Sequence, residues 1–104
     1  MIIRSWRGWA ASTANADDYE DFLRTSFLPA AHAIPGYLGA TVLRRADGDE
    51  ICFTTLTRFE TLDAIRAFAG DDPEKARVAP RAQALLSHWD ERCEHHEYAF
   101  EDRL

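Results

Sequence analysis

The stretch Ile34–Ala69, IPGYLGATVLRRADGDEICFTTLTRFETLDAIRAFA, reads as a helix stop, a β-hairpin and a new helix, in that order. Pro35-Gly36 ends whatever precedes it. Tyr37 to Arg45 and Ile51 to Phe59 are rich in β-branched and aromatic residues, and Asp47-Gly48 between them suits a type I′ turn. Thr61 can cap a helix whose apolar residues fall at Leu62, Ile65, Phe68 and Ala69, a stripe that Gly70 closes.

Working outward, Ile2 to Trp9 is a strand and Ala11 to Ala14 is turn-like. Thr13 or Asn15 is placed to cap the next helix, and Asp17 and Asp18 suit the positive end of its dipole. That helix carries Tyr19, Phe22, Leu23, Ser26, Phe27 and Ala30 at three and four spacing, the face of a helix packed on a sheet. Pro29 predicts a kink within it, and the helix ends near Ala33. Beyond Gly70, Asp72-Pro73-Glu74 predicts a short helix to Val78 before Pro80, followed by a second short helical piece, Arg81 to Leu86. Glu91 to Phe100 has the length of a strand and a polar composition, so strand and helix both stay open there. The simplest arrangement of these elements is one α+β domain over residues 1–104. It is a ferredoxin-like βαββαβ fold with a four-stranded antiparallel sheet of order 4-1-3-2 and helices on one face.

With one wet sheet face, each strand would alternate between apolar and polar residues. These strands do not. Ile2 with Trp6 and Ile3 with Trp9 place apolar bulk on both sides of the first strand, as Leu38, Val42 and Leu43 do in the second. The face away from the helices is therefore expected to be covered by a second copy, making a homodimer.

The chain has 104 residues, 46% of them hydrophobic, and a formal charge of -6. This balance gives no basic footprint for nucleic acid. No apolar run approaches the roughly 20 residues of a membrane span, and arginines interrupt the N-terminal stretch where a signal peptide has its apolar centre, so a cytoplasmic location is expected. In a 4-1-3-2 sheet Cys52 and Cys93 lie on strands separated by the first. Their Cα atoms are then about 9 to 10 Å apart by strand spacing, beyond the roughly 7 Å reach of a disulfide. Two half-buried free thiols are expected.

Several motifs resemble the antibiotic biosynthesis monooxygenase superfamily of dimeric α+β barrels. They are Arg4-Ser5-Trp6-Arg7-Gly8-Trp9, Ile34-Pro35-Gly36-Tyr37, Phe59-Glu60-Thr61-Leu62-Asp63-Ala64 with Phe68-Ala69-Gly70, and Leu85-Leu86-Ser87 before Trp89-Asp90-Glu91-Arg92. The resemblance implies a cavity between helices and sheet. The superfamily's members include cofactor-independent oxygenases of polycyclic phenols, haem-degrading enzymes and proteins of no known activity. The haem-degrading branch relies on an Asn, a Trp and a His whose positions correspond here to Arg7, Phe68 and Val78. The histidine that would ligate iron is thus replaced by valine.

Against this background the expected ligand is a small apolar or aromatic substrate, with no cofactor, metal, nucleic acid or membrane partner. His32, at a helix end under the roof of the cavity, is a candidate base; the alternative is that it complements the helix dipole. Arg7 and Trp9 share one face of the first strand, and Arg4 and Trp6 share the other. The resemblance favours Arg7 as the anchor of a phenolate and Trp9 as its stacking wall, while packing alone would equally explain all four. Tyr98 is a second candidate base, and Phe53 and Phe68 complete an apolar pocket. If their segment is a strand, His95 and His96 point to opposite faces and cannot chelate one ion; if it is a helix, no Cys, Asp or Glu set has zinc spacing. The function these residues suggest is cofactor-independent monooxygenation of an electron-rich hydroxylated aromatic or polyketide-like molecule. The alternative is a dimeric small-molecule-binding or accessory protein without catalysis.

Overall fold

The structure, a computed structural model, describes residues 1–104. Strand β1 (Ile2–Ala10) is followed by helix α1 (Thr13–Phe22), a π-helical turn (Leu23–Phe27) and α2 (Leu28–Ala31). The hairpin β2 (Tyr37–Asp47) and β3 (Glu50–Phe59) leads to α3 (Leu62–Ala69) and α4 (Pro80–Leu85), and the chain closes with β4 (His88–Trp89) and β5 (Glu94–Glu97). The antiparallel sheet runs β2-β3-β1, with β4 and β5 both paired to the free edge of β1. This is the expected 4-1-3-2 order with its last strand broken in two, and the helices pack on it as a ferredoxin-like α+β fold. No helix is long and apolar enough to cross a membrane.

Local chemistry accounts for the places where the elements depart from expectation. The N-cap of α1 is Ser12, whose Oγ accepts from the Asn15 amide at 3.1 Å, one residue before Thr13. The disturbance expected from Pro29 is realised upstream, as the π-helical turn. Proline removes the amide that would bond the Thr25 carbonyl, and the Thr25 hydroxyl donates to Asp21 O at 2.8 Å. The hairpin pairs Asp47 with Glu50, so its central residues are Gly48 and Asp49. Only Gly48 has a positive φ, 61°, the pattern of a type II′ turn and not of type I′ over Asp47-Gly48.

The predicted helix from Pro73 to Val78 does not form. Its backbone is drawn instead toward the chain's end, with Ala76 N donating to Glu91 O at 3.0 Å and Cys93 N to Glu74 O at 2.6 Å. The Arg4 guanidinium takes two of its carbonyls, those of Pro73 and Lys75. Residues 71–79 thus cross the helical face of the sheet as an irregular strap. On the surface, Arg92 ties the strap to the last strands through Asp72 and Glu74.

Two apolar clusters hold the helices down. One gathers Ala10, Ala16, Tyr19, Leu23, Phe53, Ala82, Leu85 and Leu86, and the other Phe59, Ala64, Ile65 and Ala69. Phe53 and Phe59 anchor one cluster each from the same face of β3, while Thr55 and Thr57 stand between them on that face. The core is therefore interrupted at its middle. Cys52 and Cys93 are both buried and free, and burial pushes both thiols up.

The stop before β2 depends on Gly36, which has φ 87°, and a Cβ there would lie 2.7 Å from Ala64 Cβ. Gly36→Ala therefore combines left-handed backbone strain with a collision against α3. An expected loss of about 2 kcal/mol follows, measurable by urea denaturation, and an unchanged midpoint would contradict the packing described.

Candidate functional site

Parity along β1 decides which residues meet the helices. Gly8 and Ala10 are buried beneath them, so Arg4 and Trp6 share that face, opposite Thr57 and Thr55 of β3. The gap between the two apolar clusters is a cavity of about 60 Å³. Trp6, Thr55 and Arg4 floor it, Phe22, Phe27 and Phe68 roof it, and the strap closes its side through Ala76, Val78 and Ala79. An engineered cavity that holds benzene measures ~150 Å³. An aromatic ligand therefore requires the strap or the roofing phenylalanines to move outward.

Arg4 is the dominant charge of the site. It is 4% exposed, and its hydrogen bonds all go to neutral acceptors: Pro73 O, Lys75 O at 2.9 Å and His95 Nε2 at 2.9 Å. No carboxylate pairs with it. Burial depresses its pKa, offset in part by Cys93, whose side chain also lines the cavity. A guanidinium has five N–H groups, so two remain uncommitted. Because arginine can only donate, His95 must accept through an unprotonated Nε2, which makes the imidazole neutral with its proton on Nδ1. Burial and then Arg4 lower the His95 pKa accordingly. The Arg4 guanidinium also lies 5.6 Å from the ring centroid of Phe68, a cation–π contact.

The remaining polar groups are fixed or neutral. The Trp6 indole donates to Asp90 O at 2.6 Å, locking that wall. Tyr19, 2% exposed, is pushed up to about 12 by burial and stays a phenol. At the mouth, exposed Arg77 donates to Ala69 O at 2.8 Å. No group of three or more His, Cys, Asp or Glu side chains is placed to hold a metal ion. Haem does not fit either. Residue 78 presents valine, and burial pushes the Cys93 thiol up, away from the thiolate that would ligate iron.

Of the six residues singled out from sequence, only Phe68 lines the cavity. Arg7 and Trp9 lie on the other sheet face. There the Arg7 guanidinium sits 5.1 Å from the Trp9 ring and pairs with Asp90 at 2.9 Å, and Trp9 stacks on His88 at 4.5 Å. Their expected facing is thus corrected in favour of Arg4 and Trp6. Phe53 is closed within the core against Tyr19, with ring centroids 4.9 Å apart. His32 is exposed at the C-cap of α2, stacked on Tyr37 at 5.7 Å. Tyr98 follows the end of β5 and is 37% exposed. The sequence reading missed Thr55, Tyr19 and the Arg4–His95 pair as site groups. The Phe-x-Thr-x-Thr-x-Phe pattern of β3 was the available signal for the first.

The Arg4–His95 pair makes stability depend on pH. The folded state holds the His95 pKa below the ordinary value of about 6.5, so the unfolded chain takes up the proton more readily as pH falls through that value. The His95 contribution is therefore full above about pH 6.5 and declines below it. Thermal melting across pH 5 to 8 is expected to show this loss, and His95→Gln to flatten it; an unaltered profile would sink the assignment.

No protein-family model matches the sequence, and no curated protein matches it. Solved structures do. A monooxygenase from ActVA-Orf6 of Streptomyces coelicolor, in complex with nanaomycin D, is 14% identical, with a TM-score of 0.70 over 99% of this chain and 91% of that one. The haem-degrader MhuD of Mycobacterium tuberculosis, with two haems bound in its active site, is 18% identical, with a TM-score of 0.64 over 99% and 100%. A candidate antibiotic biosynthesis monooxygenase from Deinococcus radiodurans is 14% identical, with a TM-score of 0.59 over 100% and 98%. At such identities the likeness is one of backbone, and it establishes that this chain has the ferredoxin-like α+β fold of antibiotic biosynthesis monooxygenases.

Proposed function

We propose that this protein is a cofactor-independent monooxygenase acting on an electron-rich hydroxylated aromatic or polyketide-like molecule, and that it works as a homodimer. The observation that carries this reading is a buried arginine, free of any carboxylate, in the wall of a largely apolar cavity. An uncompensated buried cation favours an anionic partner, and the anion of a hydroxylated aromatic combines that charge with an apolar body. The fold shared with a monooxygenase crystallised with nanaomycin D supports the same substrate class.

In this reading the substrate supplies the electrons. An anthrone-type molecule loses a proton to give an oxyanion, which Arg4 stabilises in a low-dielectric site. Electron transfer to O₂ and formation of one C–O bond follow, and the second oxygen atom leaves as water. The balance is R₂CH₂ + O₂ → R₂C=O + H₂O. Arg4 takes the part first given to Arg7, and Trp6 that given to Trp9. Arg4 promotes deprotonation by lowering the substrate's pKa, because the cavity wall offers no carboxylate or free imidazole as a base. That same lack favours the second reading, a binding protein that holds such a molecule without transforming it.

Oxygen uptake with a hydroxyanthrone, in chelator and without added flavin, is expected at one O₂ per substrate. Arg4→Met is expected to slow it roughly 100-fold, as loss of a group stabilising developing charge does. Binding without uptake above the buffer rate would establish the second reading instead. For the dimer, the support is the outer sheet face, where Leu38 and Leu43 are 47% and 51% exposed. Trp9, Thr54 and Leu56 extend the same surface. Leu43→Asp with Leu56→Asp is expected to sediment as a monomer where the parent sediments as a dimer; a monomeric parent at micromolar concentration would overturn this part.

A further inference from the structure

The fold leaves one buried side-chain polar atom without a hydrogen-bond partner, Oγ1 of Thr55, a residue that lines the cavity. The residue is 7% exposed. Burying a hydroxyl unsatisfied costs about 1–3 kcal/mol, and valine has nearly the same shape with no such penalty. Packing therefore gives no reason for threonine here. Neighbouring Thr57 differs, since its hydroxyl donates to Arg4 O at 3.4 Å.

The Tyr19 phenol is a candidate partner. It lies close enough to Thr55 for the two to interact, but not in a geometry that closes a hydrogen bond. The cavity thus presents two neutral hydroxyls side by side. Thr55 faces Trp6 across the ladder and Arg4 faces Thr57, so the backbone positions of Thr55 and Arg4 are offset by one strand repeat, roughly 7 Å, on the same sheet face. The cavity lining thus offers a charge from Arg4 and neutral hydroxyls from Thr55 and Tyr19.

We propose that Thr55 is a specificity-determining residue which, with Tyr19, takes a second, neutral oxygen of the ligand, so that the cavity selects aromatics bearing at least two oxygen substituents. This rests on the reading above, in which the first oxygen is an anion at Arg4. A site built to hydrogen-bond an oxygen discriminates against the analogue lacking it, because its own polar groups are then left unpaired.

The test is anaerobic calorimetric binding, which does not depend on turnover. The probes are 1-naphthol and the 1,5-, 2,6- and 2,7-dihydroxynaphthalenes. The parent protein is expected to bind at least one diol tenfold or more tighter than 1-naphthol. Thr55→Val is expected to erase that preference while leaving 1-naphthol binding within about twofold, and Thr55→Ser to keep it. Thr55→Val should also melt at or above the parent temperature, which separates lost recognition from unfolding. A diol preference that survives in Thr55→Val, or is absent from a parent that binds 1-naphthol, overturns the proposal. Failure of every probe to bind overturns both it and the hydroxyaromatic reading, whereas a diol preference without oxygen uptake supports Thr55 and removes only the oxygenase.

Discussion

Strand β1 fixes where everything else can go. It pairs with β3 along its whole length and receives β4 and β5 on its other edge, so its period of two divides the molecule into two sides. On one side Gly8 and Ala10 leave room for helices, and a Cβ at Gly8 would lie 2.8 Å from Leu86 Cδ1. With that contact set, Arg4 and Trp6 are committed to the cavity, and Arg7 and Trp9 to the outer sheet face. A one-residue slip would exchange both sets together.

The interruption of the core follows from the same geometry. Phe53 and Phe59 hold the ends of β3 under the helices, and the threonines between them cannot pack as phenylalanine does. The chain fills the gap with an arginine stem, an indole and the irregular strap, and part of the space stays open. A continuous apolar row on β3 would give a better core and no cavity. Stability and a binding site compete for the same face.

Much of this fold is legible in the amino-acid sequence. The hairpin, α3 and the strand order follow from turn residues and from the change of apolar period around Ile34–Ala69. The sheet face was harder, because β1 carries tryptophan and arginine on both parities and amphipathicity alone gives no vote. The small residues at positions 8 and 10 were the usable signal, since only the helix-covered side needs them small. The strap was not readable locally. Asp72-Pro73-Glu74 favours a helix start, and what overrides it is a guanidinium about seventy residues earlier in the chain.

That guanidinium reads the strap through its carbonyls, which every amino acid possesses, and not through its side chains. The seating of residues 73 and 75 on Arg4 is therefore largely indifferent to their side chains, while Asp72 and Glu74 hold the outer side of the strap to Arg92 through theirs. Substitutions along the strap can reshape the mouth of the cavity while its anchoring to Arg4 is untouched. In evolutionary terms, ligand preference at this mouth can drift without a matching drift in fold, and the constraint falls on one arginine in the first strand.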